Sequence, residues 1–139
     1  MTIYITGDKH GDFHDLKKDF KVRQTSSADI LIILGDVGVN FFGDERDEKA
    51  KRELSSLGLP VLCVRGNHEM RPTDPALDGK YREIEWCGGK VYVEEKFPCL
   101  FFAQGWFPLP HRGPRFPRDR GSLFCGQVVS ADAWVSLVC

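Results

Sequence analysis

The stretch Gly7-Asp8-Lys9-His10-Gly11 decides the fold, because it places two chemically active side chains directly after a predicted strand. The preceding run, Ile3–Thr6, has the β-branched and aromatic content of a short buried strand. Asp8 and His10 are two positions apart, so their side chains point the same way in an extended or tightly turned segment. A carboxylate and an imidazole that converge suit a divalent metal such as Mn, Fe or Zn.

The same arrangement recurs twice along the chain. Ile30–Leu34 is a continuous apolar run, typical of a strand buried on both faces of a parallel sheet, and Gly35-Asp36 follows it. Pro60–Val64 is a third predicted strand, and Arg65-Gly66-Asn67-His68-Glu69 follows it. The carboxyl ends of parallel strands meet at one edge of a sheet, where ligands bind. We therefore expect one cluster of side chains at that edge, made of Asp8, His10, Asp36, Asn67 and His68.

Two helices are predicted between these strands, which indicates an α/β fold with a parallel sheet. Asp12 is expected to cap a helix that runs to about Arg23, with His14 facing solvent. Asp44 is expected to cap a second helix, about residues 45–57. Its acid and base pairs four residues apart, such as Asp47 with Lys51, are interpreted as a solvated surface.

The remaining pattern before residue 97 predicts a β-hairpin. Tyr81–Trp86 and Lys90–Glu94 alternate enough to be strands, and Gly88-Gly89 lies between them as a turn signal. These two strands complete the elements that the pattern predicts.

Composition narrows the class of protein. The 139 residues correspond to one domain by length, and the net charge of −1 gives no general electrostatic attraction to nucleic acid or membranes. The longest apolar run is too short to span a bilayer, and the N-terminus lacks the pattern of a signal peptide. The five cysteines are scattered without metal or disulfide spacing and are expected to be reduced. We expect a cytoplasmic protein.

The character of the sequence changes near residue 97. All nine lysines and 18 of the 20 acidic residues precede Phe97, whereas five of the eight prolines follow it. Regular periodicity fails from Phe97 onward, because prolines interrupt helices and central strands. We therefore predict two parts, residues 1–96 and an atypical Pro/Arg-rich tail, 97–139, that is disordered or the product of a frameshift. Nucleic-acid binding by the tail arginines is the less favoured interpretation.

Taken together, Gly7-Asp8-Lys9-His10, Gly35-Asp36 and Gly66-Asn67-His68-Glu69 resemble the calcineurin-like metallophosphoesterase family. The resemblance covers about residues 1–96. It implies a layered α/β sandwich and a centre of two divalent metal ions that hydrolyses a phosphomonoester or phosphodiester substrate.

The resemblance also implies a role for each residue of these blocks. Asp8 and His10 match ligands of the first metal, Asp36 matches the carboxylate that bridges both metals, and Asn67 matches a ligand of the second. His68 matches the residue that protonates the leaving oxygen. Glu69 fits the motif, and we expect it to support the loop.

The second half of the chain departs from the family pattern. The family has further histidines there, including a Gly-His-x-His block, but only His111 follows His68 in this chain. The spacing around His111 is not that of a metal ligand. The second metal would thus lack histidine, and the sandwich is expected to be incomplete in its C-terminal half. Two hypotheses remain open: a hydrolase impaired by this loss, and a non-catalytic fragment that binds metal or phosphate.

Overall fold

The structure is a computed structural model and describes residues 1–104. The described chain alternates strand and helix in its first half and ends in three strands. Its elements in chain order are β1 (Ile3–Gly7), α1 (His14–Arg23), β2 (Ile30–Leu34), α2 (Glu45–Ser55), β3 (Val61–Val64), a 3₁₀ turn (Pro75–Leu77), β4 (Tyr81–Trp86), β5 (Gly89–Glu94) and β6 (Leu100–Ala103). Neither helix of residues 1–104 is long and apolar enough to cross a membrane.

The strands form a single mixed sheet of six in the order β1-β2-β3-β6-β5-β4. β1, β2, β3 and β6 are parallel, whereas β5 pairs antiparallel with both β6 and β4. The α/β class predicted from the sequence is confirmed. Since the first three strands run in the same direction, the segments that follow them leave the sheet at one edge.

Both helices pack on one face of the sheet. Leu16 and Phe20 of α1 and Leu54 of α2 belong to the same buried cluster as Leu31 and Ile33 of β2. The opposite face carries a second buried cluster, made of Ile30, Ile32, Leu62, Val91 and Phe101. The alternation of these residues along β2 shows that this strand is apolar on both faces, as its continuous apolar run predicts.

The predicted β-hairpin is confirmed, and its turn lies one residue earlier in the chain than the glycine pair. Trp86 pairs with Gly89, so the two turn residues are Cys87 and Gly88. Both have positive φ, +49° and +75°, which is the backbone that a tight two-residue hairpin requires. The sequence did not give the exact position of the turn, because a cysteine occupies a position where asparagine or glycine is expected.

The prediction that regular structure fails from Phe97 onward is wrong for residues 100–103, which form β6. Phe97 is 4% exposed, and β6 lies in the middle of the sheet between β3 and β5. Four residues are too few to show a period, so only tertiary pairing reveals this strand. Residues 105–139, which include His111 and most of the predicted tail, lie outside the described residues.

The surface of α2 also differs from the prediction. Asp44 caps the helix through the backbone N–H of Arg46, as expected. However, Asp47 and Lys51 are each only 3% exposed and do not belong to a solvated face. Lys51 instead forms an ion pair with Glu94 of β5 at 2.8 Å. A charged pattern at helical spacing does not reveal which turn of the helix lies under a loop or a neighbouring strand.

Candidate metal centre

The segments that follow β1 and β2 are joined by main-chain hydrogen bonds beyond the ends of the strands. The N–H of Asp8 donates to the carbonyl of Gly35 at 3.2 Å, and the N–H of His10 donates to the carbonyl of Asp36 at 2.8 Å. These bonds continue the parallel pairing of the two strands. They fix the backbone that carries Asp8, His10 and Asp36, three of the five residues expected at this edge.

The structure brings Asp8, His10 and Asp36 together. Each offers one ligand atom, and these atoms all lie within 4.8 Å of one another. Two ligand atoms on opposite sides of one ion are separated by about 4.2 Å, from metal–ligand distances of roughly 2.1 Å. Small side-chain adjustments are therefore enough to close this group around a cation. Two carboxylates and an imidazole suit a borderline divalent metal.

All three residues of this cluster have left-handed backbone conformations. The φ angles of Asp8, His10 and Asp36 are +49°, +48° and +45°. Non-glycine residues rarely adopt such angles, and each costs roughly 1 kcal/mol or more. Such strain persists only where the surrounding hydrogen bonds impose it, and it is concentrated at functional sites.

Asp36 is the most enclosed member of the cluster, with 9% of its surface exposed. Its Oδ1 accepts a hydrogen bond from the backbone N–H of His68 at 3.2 Å. In residues 1–104, no salt bridge to Lys, Arg or His neutralises this carboxylate. A nearly buried anion without a protein cation is costly, so its environment fits a bound metal ion.

Gly66 allows the loop after β3 to approach this carboxylate. A Cβ atom at this position would overlap the Asp36 side chain and its backbone nitrogen. Glycine is therefore required here for close packing, and not for its backbone angles, because its φ is not in the left-handed range.

Asn67 and His68 lie in the same loop, and both side chains are exposed. The ring of His68 is 5.8 Å from the ring of His10, centroid to centroid, in an edge-to-face arrangement. His68 therefore lies next to the cluster. The ligand role of Asn67 and the proton-donor role of His68 stay predictions. His14 is exposed at the start of α1 and is not a member of the cluster, as expected.

Glu69 joins the loops that follow β2 and β3. Its Oε1 accepts from the N–H of Gly38 at 2.6 Å, and its Oε2 accepts from the N–H of Gly66 at 3.0 Å. Burial raises the pKa of the Glu69 carboxyl, whereas these two N–H donors act in the opposite direction. The expected role of Glu69 in loop support is confirmed.

Sequence reasoning missed the residues between β2 and α2. Phe41 and Phe42 are 49% and 48% exposed, and the ring of Phe41 is 6.3 Å from that of His68. Asp47 accepts hydrogen bonds from the backbone of this loop. The only sequence signal was two adjacent aromatic residues in a segment with no strand or helix period.

A comparison with protein families decides which family this geometry represents. The family model of calcineurin-like phosphoesterases matches residues 1–136. The chain belongs to the calcineurin-like phosphoesterase family. The match extends to residue 136, well beyond residue 96, the limit inferred from the motifs. A comparison with curated proteins found no match. Membership of this phosphoesterase family, with the Asp8, His10 and Asp36 cluster, supports a metal-dependent phosphoesterase in general.

Proposed function

We propose that this protein hydrolyses phosphomonoesters or phosphodiesters with a dinuclear centre of Mn, Fe or Zn at the carboxyl edge of the sheet. The cluster of Asp8, His10 and Asp36, with ligand atoms within 4.8 Å, is the observation that carries the proposal. Asp8 and His10 would hold the first ion, and Asp36 would bridge to a second ion held by Asn67. When bound, divalent ions at these residues would supply charge neutralisation of the phosphate oxygens and a more acidic water.

The protein residues then have separate tasks. The carboxylate of Asp36 is oriented by the His68 backbone N–H, and Gly66 permits this contact. The imidazole of His68 is exposed beside the cluster, where it can donate a proton to the oxygen of the departing alcohol. Glu69 ties together the loops that carry Asp36 and His68.

Leaving-group dependence provides the sharpest test of the His68 role. A p-nitrophenolate ion leaves without protonation, whereas an alkoxide requires a proton. His68→Ala should therefore lower kcat/KM about 100-fold or more for glycerol 2-phosphate with added Mn²⁺, and much less for p-nitrophenyl phosphate. His14→Ala is the matched control, because this histidine is exposed on α1. An equal loss for both substrates would contradict the proton-donor role.

Asp36→Asn tests the metal role. It should abolish turnover of both esters and of bis(p-nitrophenyl) phosphate, because an amide is a weaker and uncharged bridge. Asp15→Asn, at an exposed position of α1, is the control. Unchanged turnover in Asp36→Asn would contradict the proposal.

A second candidate is a non-catalytic protein that binds metal or phosphate. The observation in its favour is the lack of a Gly-His-x-His block, since His111 is the only histidine after His68. This candidate predicts Mn²⁺ binding that is lost in Asp36→Asn, with no turnover of any of the three esters.

A further inference from the structure

Two large aromatic side chains face solvent in the segment that follows the Asp36 loop. Phe41 and Phe42 are 49% and 48% exposed, although both are in a segment that continues directly from the cluster loop. Their rings pack edge to face, with centroids 4.7 Å apart and an interplanar angle of 89°. Leaving this much apolar surface in water is unfavourable, and exposed apolar patches commonly mark binding sites.

A buried carboxylate anchors the backbone that carries these rings. Asp47 is 3% exposed, and its oxygens accept hydrogen bonds from the N–H groups of Phe41, Phe42 and Gly43 at 3.3, 3.1 and 2.7 Å. These charge-assisted bonds anchor the segment to the first turn of α2. The aromatic pair is thus presented on a fixed support.

Arg46 covers one of the two rings. Its guanidinium carbon lies 3.5 Å from the centroid of the Phe42 ring, and Asp44 accepts hydrogen bonds from its Nε and one terminal nitrogen. Phe42 is therefore stacked already and supports Phe41 from the side. Phe41 is the member of the pair that lies beside the centre.

The ring of His68 is near both a cluster residue, His10, and Phe41. His10 is 5.8 Å from His68, and His68 is 6.3 Å from Phe41, between ring centroids. A phosphoester held at the cluster, with its leaving oxygen at His68, would extend its organic part toward Phe41.

We propose that Phe41, supported by Phe42, is a stacking surface for a planar aromatic ring in the organic part of the substrate. This inference rests on the proposed function, and it identifies the substrate class as esters that carry a nucleobase or another aromatic ring. Stacking on an aromatic side chain accommodates many ring types, because each aromatic ring offers a π face.

Two matched pairs of substrates test the effect of the aromatic ring while the reacting ester bond stays of the same kind. Adenosine 5′-monophosphate and ribose 5-phosphate share the same leaving oxygen and differ in the base. Benzyl phosphate and cyclohexylmethyl phosphate differ only in the aromaticity of the ring. With Mn²⁺, the wild type should show kcat/KM about fivefold or more higher for the aromatic member of at least one pair. A ratio near one in both pairs overturns the proposal.

Variants at Phe41 assign the preference to this side chain. Phe41→Ala and Phe41→Leu should bring the ratio toward one, whereas Phe41→Trp should keep it. Val22→Ala, at a side chain that is 82% exposed on α1, is the control and should leave the ratio unchanged. If Phe41→Ala lowers kcat/KM equally for both members of each pair, its role is structural and the proposal fails. A preference only in the first pair indicates a nucleobase, and a preference in both indicates aromatic rings in general.

A binding measurement keeps this inference separate from the hydrolase assignment. Equilibrium dialysis with Mn²⁺ and the hydrolysis-resistant phosphonate analogues of adenosine 5′-monophosphate and ribose 5-phosphate should show tighter binding of the adenosine analogue, and Phe41→Ala should remove the difference. If this difference is observed without turnover of any ester, the stacking surface stands and the hydrolase assignment fails. If turnover is observed and the difference is not, the hydrolase assignment stands and the stacking surface fails.

Discussion

The carboxylate of Glu69 accepts a hydrogen bond from the backbone N–H of Gly38 at 2.6 Å, across 31 residues of chain. Its second oxygen accepts from Gly66, so one side chain fixes the separation between two loops of the candidate metal centre. Asp36 lies in the first of these loops and His68 in the second. The distance between the proposed metal ligand, Asp36, and the proposed proton donor, His68, thus depends on a residue that need not touch either metal or substrate.

Removal of the Glu69 carboxylate should weaken metal binding. Glu69→Ala leaves the N–H groups of Gly38 and Gly66 without this acceptor, so the loops should separate and the Kd for Mn²⁺ should rise about 10- to 100-fold. Titration with Mn²⁺ in a calorimeter measures this change. Glu85→Ala, at an exposed position of β4, is the control. An unchanged Kd would show that the loops keep their separation without Glu69.

The buried carboxylate of Asp47 should stabilise both the fold and the aromatic loop. Asp47→Ala leaves the N–H groups of Phe41, Phe42 and Gly43 without their acceptor, and we expect a loss of about 2–4 kcal/mol in the free energy of unfolding. Amide hydrogen exchange at these three residues should accelerate more than in the β-sheet. Glu45→Ala, which is exposed in the same helical turn, should change neither quantity appreciably. Equal exchange in wild type and Asp47→Ala would refute the anchoring role.

How much the sequence predicts depends on whether a residue acts through local pattern or through distant contacts. Strands β1 to β3, both helices and the Asp8, His10 and Asp36 cluster follow from apolar runs and from the topology of parallel sheets. Strand β6 does not, because its four residues are recognisable only by pairing with β3 and β5. Asp47 was misassigned for the same reason. Its partners lie in a loop, and helical spacing carries no information about that loop.

Lys51 and Glu94 form a buried ion pair. Removing only one of its two charges should destabilise the fold. Their nitrogen and oxygen are 2.8 Å apart, and the side chains are 4% and 6% exposed. Lys51→Met or Glu94→Met alone should cost about 3–5 kcal/mol, because each leaves an unpaired buried charge, and the double variant should recover most of the loss. Urea unfolding of the four proteins measures the coupling.

The pair Lys90 and Glu83 is the control for this cycle. It has the same distance, 2.8 Å, but its side chains are 68% and 38% exposed. The coupling there should be about 0–1 kcal/mol. A coupling for Lys51 and Glu94 no larger than this value would show that burial does not strengthen the pair.

Asp29 should make stability depend on pH in the acid range. The backbone N–H groups of Ser26 and Thr2 donate to the carboxylate of Asp29 and lower its pKa below the ordinary value of 3.8, with the larger effect from Ser26. A lowered pKa in the folded state gives stability that is present above the ordinary value and is lost as pH falls through the folded value. The urea midpoint of the wild type should therefore fall more steeply than that of Asp29→Asn as pH decreases below about 4. Asp19→Asn, exposed on α1, should follow the wild type. Parallel curves for wild type and Asp29→Asn would contradict this role.

The metal content of the purified protein tests the central claim most directly. After exposure to Mn²⁺ and removal of free ions, elemental analysis should find one or two ions per chain in the wild type and none in Asp8→Asn/Asp36→Asn, because these carboxylates supply the negative charge of the site. Asp15→Asn/Asp19→Asn, which removes two exposed carboxylates of α1, should retain the wild-type content. A wild-type chain without bound metal, or equal metal in the Asp8→Asn/Asp36→Asn variant, would contradict a metal centre formed by the loops that follow β1 and β2.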